Sequence, residues 1–275
     1  MGLVGSLKIA EKNSAGKTEG SFPAPGAVHY FPEVVSTMDA ARDLANQGCP
    51  HFTVAAAGRQ TGGRGRLTRT WLSPEGGLYF TIVLRPRTPL AAAFKFNFSA
   101  SLVLAGTLRR TLGVDARVKW PNDVMVKEKK LAGILSEMEV DGRAVSFLNI
   151  GVGINVNNDP SPSEPGACSL KSILKKDTNP KALLMTFLND YGHFIESPAM
   201  EDVAGEWKKE TLTLGRKVRI ETGRRVFEGV AEDVDENGAL VLALSDGSRE
   251  KITHGDCFHT RPLSDETPLR GNPNP

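Results

Sequence analysis

Four arginines and four glycines occur in the fourteen residues from Gly58 to Trp71, GRQTGGRGRLTRTW, with no carboxylate among them. Arginine presents a planar, permanently charged fork that fits the oxygens of phosphates and carboxylates. Glycine lets the backbone adopt positive φ angles and approach a ligand closely. The pattern predicts a loop that closes over an anion, and the plain alternative is a solvated surface turn.

Trp71 ends this stretch. Its indole is able to stack on a purine base, and an arginine alongside would add a cation–π attraction. A tryptophan next to an apolar strand is equally an ordinary core residue. By itself, Trp71 therefore decides nothing.

A second candidate stretch, VKWPND, brings two charged residues together at a turn. Pro121 and Asn122 predict a turn between two strands, because proline presets the backbone and asparagine tolerates turn geometry. Such a turn places Lys119 and Asp123 near one edge of the sheet.

A lysine opens the apolar strand KLAGIL that follows. Strict alternation along a strand points Lys130 and Ala132 to the face opposite Leu131 and Gly133. A lysine in this position is usually a solvated strand end. Lys130 becomes functional only if the face that it occupies lines a pocket.

A third stretch, NIGVGINV, places two glycines inside an apolar strand. Gly151 and Gly153 allow another group to pack against the backbone. Asn155 has an amide suited to a base edge or to another amide. This stretch lacks the third glycine of the dinucleotide-binding fingerprint, and the phosphate-binding motif GxxxxGK[ST] is absent from the chain. Any ATP must therefore be bound in another way.

Composition narrows the function classes. The 275 residues are 40% apolar and 24% charged with a net charge of +2, which does not suggest a globally basic nucleic-acid-coating protein. Three scattered cysteines predict a reducing compartment, hence the cytoplasm, and no apolar run reaches the ~20 residues of a membrane span. GxSxG and HExxH motifs are absent, so the sequence offers no recognisable hydrolase nucleophile or metal site. The metal-ligand residue types of HGDCFH alternate across the two faces of a predicted strand, which disfavours a zinc site there.

Element signals divide the chain into four parts. Residues 1–27 predict a flexible leader and residues 264–275 a disordered tail. Residues 28–211 alternate apolar strands with helices, the last two of which are expected at Lys181–Glu196 and Met200–Glu210. Residues 212–263 contain Thr-Gly, Asn-Gly and Asp-Gly turns between strand-length runs, which predicts a small antiparallel barrel.

Taken together and in this order, these stretches resemble biotin protein ligases. The family motifs GRGR-x-x-R-x-W, KWPND, K-[LI]-A-G-[IV]-L and G-x-G-[IL]-N are matched at Gly63–Trp71, Lys119–Asp123, Lys130–Leu135 and Gly151–Asn155, and Ser36-Thr37 matches an upstream pair. The resemblance covers residues 28–262. It implies an α+β fold with a mixed sheet flanked by helices, similar to class II synthetases, and a C-terminal SH3-like β-barrel.

The resemblance implies a two-step reaction. The biotin carboxylate attacks the α-phosphate of ATP, with Mg²⁺ present, which releases pyrophosphate and forms biotinyl-5′-AMP. A lysine of a biotin carboxyl carrier protein domain then attacks the mixed anhydride, which yields an amide and AMP. Biotin and ATP are substrates, and no tightly bound cofactor is expected.

Residue roles follow from the matched motif positions. Lys130, Arg66 and Asp123 are the candidate catalytic residues, with Asp123 organising magnesium or the incoming lysine. The biotin-binding candidates are Ser36, Thr37, Met38, Gln60, Arg64, Gly65, Arg66 and Lys130. The ATP-binding candidates are Arg64, Arg66, Arg69, Trp71, Lys119, Asn122 and Asn155.

The sequence departs from the family in two places. Met38 stands where asparagine commonly follows Ser-Thr, which puts one polar contact with biotin in doubt. The predicted leader shows no winged-helix pattern. The resemblance is therefore to the monofunctional type of the family, and we expect no operator binding. A homodimer is left open. The alternatives are a lipoate or octanoate ligase or transferase of the same fold, and a nucleic-acid-binding module.

Overall fold

The structure, a computed structural model, describes residues 27–260 except residues 68, 87–88, 90–91 and 142–143. The predicted tail and residues 1–26 of the predicted leader lie outside the described residues.

A seven-stranded mixed sheet forms the larger part of the fold. In chain order its strands are β1 (Val28–Val34), β2 (Thr53–Gln60), β3 (Leu78–Leu84), β4 (Ala116–Lys119), β5 (Asp123–Val126), β6 (Lys129–Asp141) and β7 (Ala144–Ile154). Their spatial order is β1-β2-β3-β7-β6-β5-β4, and only β1 and β2 run parallel. The mixed sheet flanked by helices that the resemblance implied is confirmed.

Helices cover both faces of this sheet. They are α1 (Thr37–Asn46), α2 (Phe94–Leu112), α3 (Leu170–Leu174), α4 (Pro180–Glu196) and α5 (Val203–Glu210). The alanines of α1 pack on one face, against Ala55, Val83 and Phe147. On the other face, α2 and α4 enclose the main core, where the rings of Phe80 and Phe187 lie 5.4 Å apart. Since both faces are covered, every residue of β3 is buried, as its continuous apolar run indicates.

Helix ends follow local chemistry. Gly113 closes α2 in the left-handed region at φ 64°, as its place after the apolar run predicts. The expected helix from Met200 to Glu210 is wrong at its start, because α5 begins at Val203. Residues Pro198–Met200 instead form a 3₁₀ turn, and the side chain of Asp202 caps α5 by accepting a hydrogen bond from the Gly205 amide. The short helix α3 was not predicted.

The C-terminal part is a five-stranded antiparallel sheet. Its strands are β8 (Lys217–Glu221), β9 (Val226–Val234), β10 (Leu240–Ala243), β11 (Arg249–Ile252) and β12 (Asp256–His259), in the order β11-β10-β9-β8-β12. The three predicted turns connect β8 to β9, β9 to β10 and β10 to β11. We call this part the barrel.

The barrel packs directly against the larger domain. The indole nitrogen of Trp120 donates to the Gly238 carbonyl at 3.1 Å, and Lys208 pairs with Asp233 at 2.6 Å. Trp120 is 1% exposed, so the KWPND turn is locked between the two parts. This contact brings β12 to the edge of the sheet that carries the candidate site.

Candidate active site

A cavity of about 390 Å³ lies between the sheet, β12 and the loop between β2 and β3 that carries Arg64, Arg66 and Arg69. We call this loop the arginine-glycine loop. Every site residue that the sequence singled out lines this one cavity: Ser36, Thr37, Met38, Gln60, Arg64, Gly65, Arg66, Arg69, Trp71, Lys119, Asn122, Asp123, Lys130 and Asn155. The cavity has a neutral end at the start of α1 and a cationic end at the barrel.

Short polar side chains build the neutral end. The amide and the hydroxyl of Thr37 donate to Oε1 of Gln60 at 2.8 and 3.0 Å. The side-chain amide nitrogen of Gln60 in turn donates to Ser73 Oγ at 2.8 Å, and the Thr81 hydroxyl donates to the Thr37 hydroxyl at 2.9 Å. Ser36 caps α1 by accepting from the Met38 amide. These bonds hold the polar groups in fixed directions, and the sequence reasoning missed Ser73 and Thr81.

Met38 makes the floor of this end apolar. Its side chain is 3% exposed, and a Cβ added to Gly151 would lie 2.7 Å from its sulfur. The glycine therefore leaves the space that the thioether fills. A methionine here offers dispersion contacts where an asparagine would offer an amide.

Lys130 lies on the cavity face because of a β-bulge. Met125 pairs with Lys130 but Val124 pairs with Ala132, so Leu131 is an extra residue in β6. The expected placement of Lys130 opposite Gly133 is wrong, because one inserted residue reverses the alternation. A Cβ on Gly133 would lie 3.5 Å from the Lys130 ammonium, and the ammonium pairs with Asp123 at 2.6 Å.

Arg64 is held by two carboxylates from distant parts of the chain. Its Nη1 lies 2.7 Å from Asp39 on α1 and its Nε lies 3.3 Å from Glu137 on β6. Arg42 also pairs with Glu137, at 2.5 Å. The positive charge that has no counterpart in the local sequence is thus partly balanced in the fold.

The barrel holds Arg66 and Arg69, which follow Arg64 in the same loop. Nη1 of Arg66 donates to the Gly255 carbonyl at 3.1 Å, and Arg69 pairs with Asp256 at 2.5 Å. Burial lowers the pKa of Arg66, which the carboxylates of Asp256 and Asp123 oppose, and an arginine so placed stays charged. The cationic end therefore depends on both domains.

Trp71 lies flat on the glycine strands. A Cβ on Gly153 would come within 2.4 Å of its Nε1, and one on Gly133 within 3.1 Å of its ring. The Lys130 ammonium is 5.3 Å from the ring centre. The indole Nε1 is buried and has no hydrogen-bond partner among the residues that the structure describes. Gly153 and Gly133 thus leave room for this indole, whereas Gly151 leaves room for the Met38 sulfur.

The remaining predicted residues border the cationic end. Lys119 pairs across the strands with Asp123, which confirms that the turn brings them to one edge. The side-chain amide of Asn122 donates to the Ile134 carbonyl at 2.5 Å and braces the turn. Asn155 is 3% exposed and accepts a hydrogen bond from Asn158.

Sequence reasoning missed two parts of the cavity wall. Asp256, Cys257 and Phe258 enter from the barrel, and residues 160–167 close a further side. HGDCFH was noticed only for its metal-ligand residue types, and no local signal places it at a distant loop. Within the described residues no group of three or more His, Cys, Asp or Glu side chains is arranged to hold a metal.

Comparison with known proteins identifies the same parts. Residues 30–155 match the biotin/lipoate A/B protein ligase family, and residues 213–260 match the biotin protein ligase C-terminal domain. The biotin–[acetyl-CoA-carboxylase] ligase of Paracoccus denitrificans is 32% identical over 212 residues, which are 74% of this chain and 88% of that protein. The bifunctional ligase/repressor BirA of Bacillus subtilis is 30% identical over 230 residues, which are 80% of this chain and 70% of that protein.

A solved structure has a similar fold. The biotin protein ligase of Aquifex aeolicus in complex with biotin and ATP has a TM-score of 0.71 and 29% identity, covering 85% of this chain and 98% of that one. With relatives at this identity and coverage, and with the catalytic fold and C-terminal domain both matched, the chain belongs to the biotin protein ligase family.

Proposed function

We propose that the protein activates biotin with ATP to biotinyl-5′-AMP and transfers the biotin to a lysine of a biotin carboxyl carrier protein domain. The observation that carries the proposal is that a neutral hydrogen-bonding end and a cationic end share one cavity and meet at Lys130. A ligand with a polar ring system at one end and a carboxylate at the other matches these two ends.

Electrostatics explain why this residue set suits the first step. A biotin carboxylate is ionised at neutral pH, so its attack on the α-phosphate needs no general base. The obstacle is repulsion between two anions, which fixed cations at the meeting point remove. Lys130 and Arg66 are the two cations that we place there, while Arg64 and Arg69 would hold the outer oxygens.

Ligands would bind by exchanging ion pairs. Lys130 is paired with Asp123, and Arg69 with Asp256, before any anion enters. A ligand carboxylate or phosphate would take the place of these side-chain carboxylates. Lys130 and Arg69 would then have a negatively charged partner both before and after the ligand binds. Once Lys130 contacts the mixed anhydride, Asp123 is placed to accept a hydrogen bond from the incoming lysine amine.

The nucleotide would bind on the glycine side. Trp71 lies over Gly153 beside Asn155, so its indole offers a face to adenine, while Lys119 and Asn122 border the phosphates. Magnesium commonly binds through one or two carboxylates together with substrate phosphates. Asp123 fits that pattern once Lys130 has moved away, and the ion would neutralise part of the polyphosphate charge.

At the other end, Ser36, Thr37 and Gln60 are our candidates for the ureido ring of biotin. Their polar atoms are already directed by hydrogen bonds. Met38 and Gly151 would line the apolar part of the ligand.

The test is biotin-dependent exchange of labelled pyrophosphate into ATP, run beside lipoate and octanoate. We expect exchange with biotin and none with lipoate, since the barrel matches the biotin protein ligase C-terminal domain. Exchange that depends on lipoate would select the rival of the same fold. Steeply salt-dependent RNA or DNA binding without exchange would select the nucleic-acid-binding module.

Three further expectations are part of the proposal. We expect activity in the cytoplasm, no biotin-dependent shift of promoter DNA in a gel, and either a monomer or a homodimer on sedimentation. None of the described helices has the length and apolar character needed to cross a membrane.

A further inference from the structure

Glu164 differs from the other two carboxylates of the active-site cavity. Asp123 pairs with Lys130, and Asp256 pairs with Arg69. Glu164 also lines the cavity and is exposed. Within the described part of the chain, its side chain forms neither an ion pair nor a hydrogen bond. Its two oxygens are therefore available to accept hydrogen bonds from a ligand.

Backbone hydrogen bonds tie the segment that carries Glu164 to the strand of Lys130. We call this segment, residues 160–167, the cavity wall. The Gly166 carbonyl accepts a hydrogen bond from the Lys130 amide at 2.8 Å, and the Cys168 amide donates to the Lys130 carbonyl at 2.9 Å. These two bonds fix the end of the wall beside Lys130, and Glu164 lies two residues before Gly166.

Ribose is the part of ATP that the cavity wall would face. In the proposed binding mode, adenine lies on Trp71 of the arginine-glycine loop and the α-phosphate lies at Lys130. Ribose joins the base to the α-phosphate, so it would span the gap between this indole and the ammonium, which is 5.3 Å from the ring centre. The wall borders this gap, because it is tied to Lys130 and lines the same cavity as Trp71.

The chemistry of a carboxylate also selects ribose. The phosphates are anions and would be repelled by Glu164, so its contact must be with the neutral part of the nucleotide. A ribose diol presents two O–H donors, and the two oxygens of one carboxylate can accept both. An acidic residue contacts a ribose hydroxyl in the same way in dinucleotide-binding folds. Hydrogen bonds to an ionised acceptor are stronger than those between neutral groups, which makes the contact selective.

We propose that Glu164 binds the 2′- and 3′-hydroxyls of the ribose of ATP and thereby makes the first step selective for ribonucleotides. The inference rests on the proposed function, because it assigns a specificity-determining residue within the same ATP site.

The test combines a substitution with a substrate analogue in the full chain. Biotin-dependent pyrophosphate exchange is measured with ATP and with 2′,3′-dideoxy-ATP. The wild type should prefer ATP by about tenfold or more in kcat/KM, the effect of hydrogen bonds to a charged group. In Glu164→Ala the kcat/KM for ATP should fall by about tenfold, mainly through KM. The value for the dideoxy analogue should change by less than about twofold, because the contact is already missing.

Asp159→Asn is the matched control. Asp159 is an exposed carboxylate just before the cavity wall, accepts hydrogen bonds from Ser161 and does not line the cavity. This variant should keep the wild-type preference for ATP. Retained exchange of the dideoxy analogue in Glu164→Ala also shows that the variant folds.

Inosine triphosphate, which lacks the exocyclic amine of adenine but keeps the ribose, distinguishes the base from the sugar. Glu164→Ala should lower kcat/KM for this nucleotide by the same factor as for ATP. A loss with ATP alone would assign Glu164 to the base and overturn the proposal. A loss confined to transfer of biotin to the carrier domain, with exchange intact, would assign Glu164 to the incoming lysine and overturn it as well.

Two further results would contradict the ribose contact. One is a wild type that uses ATP and its dideoxy analogue equally well, and the other is an unchanged preference for ATP in Glu164→Ala. Absence of biotin-dependent exchange in the wild type with every nucleotide would instead contradict the proposed function. The two failures are therefore distinguishable.

Discussion

The two ends of the active-site cavity are built in different ways. At the neutral end, Ser36, Thr37 and Gln60 come from one domain and already satisfy one another over short distances. At the cationic end, Arg66 and Arg69 are long side chains that reach across to Gly255 and Asp256 of the barrel. The neutral end is preorganised, whereas the cationic end is held by contacts that a stronger anion can displace.

This difference has a physical basis. A neutral polar group gains its hydrogen bonds without much sensitivity to its surroundings, so it can be fixed before the ligand arrives. A cluster of cations repels itself unless carboxylates balance it, and exposed ion pairs are individually weak. Substitutions at the cationic end should therefore change chemistry and nucleotide binding more than biotin binding.

The largest effect is expected from Lys130→Ala. Removal of the cation at the meeting point of the two reactants should slow biotin-dependent pyrophosphate exchange by roughly 100- to 1000-fold, comparable to the loss of one oxyanion donor. Biotin binding measured by calorimetry should change much less. The neighbouring Lys129→Ala, outside the cavity lining, is the control. Equal losses in both variants would remove Lys130 from the site.

Gly153→Ala should weaken nucleotide binding selectively. The new Cβ would lie 2.4 Å from the Trp71 indole nitrogen and must displace the ring. Overpacking of this kind costs about 1–3 kcal/mol, so the KM for ATP should rise by roughly five- to 150-fold. Gly106→Ala on α2, where a Cβ meets nothing within 4 Å, should leave the KM for ATP unaltered. A proportional rise in the KM for biotin would contradict the division into two ends.

His259 should make the domain junction sensitive to acid. Burial lowers its pKa to about 4, with Lys119 and Arg216 acting in the same direction and Glu128 opposing them. An unfolded histidine has a pKa of about 6.5, so the unfolded chain gains its proton first as the pH falls. The contribution of His259 to stability is complete above pH 6.5 and is lost between pH 6.5 and 4.

Urea unfolding at pH 7 and pH 5 measures this loss, which should be about 2 kcal/mol at pH 5 for His259 alone. In His259→Gln that part of the pH dependence should vanish. The exposed His254→Gln variant should behave like the wild type. If the pH dependence of His259→Gln matched that of the wild type, the histidine would not be a neutral junction residue.

The smallest effect is expected at Asp256, where the substitution should strengthen ATP binding instead of weakening it. If this carboxylate is a displaceable partner of Arg69, Asp256→Asn should bind ATP up to about fivefold more tightly, because an exposed ion pair is worth no more than about 1 kcal/mol. Adenosine, which has no phosphate, should bind equally to both forms. Glu232→Gln, which removes a barrel ion pair outside the cavity, should change neither. Weaker ATP binding in Asp256→Asn would mean that Asp256 positions Arg69 instead.

Local patterns in the sequence predicted much of the fold and assembled the candidates for the site. The apolar run of β3, the glycine at the end of α2 and the three barrel turns lie where they were expected. The orientation of Lys130 was predicted wrongly, since a bulge at Leu131 cannot be recognised from alternation alone. The residue roles remain predictions that the variants above would test.

By itself, the amino-acid sequence determined which residue types could meet an anion, because arginine, lysine and glycine carry their charge and conformational freedom wherever they occur. Only the tertiary structure decided what balances those charges. Arg66 and Gly255 are 189 residues apart in the chain, and Arg64 and Glu137 are 73 apart. Contacts at such separations arise from the packing of the barrel and α1 on the sheet, and no short-range periodicity encodes them.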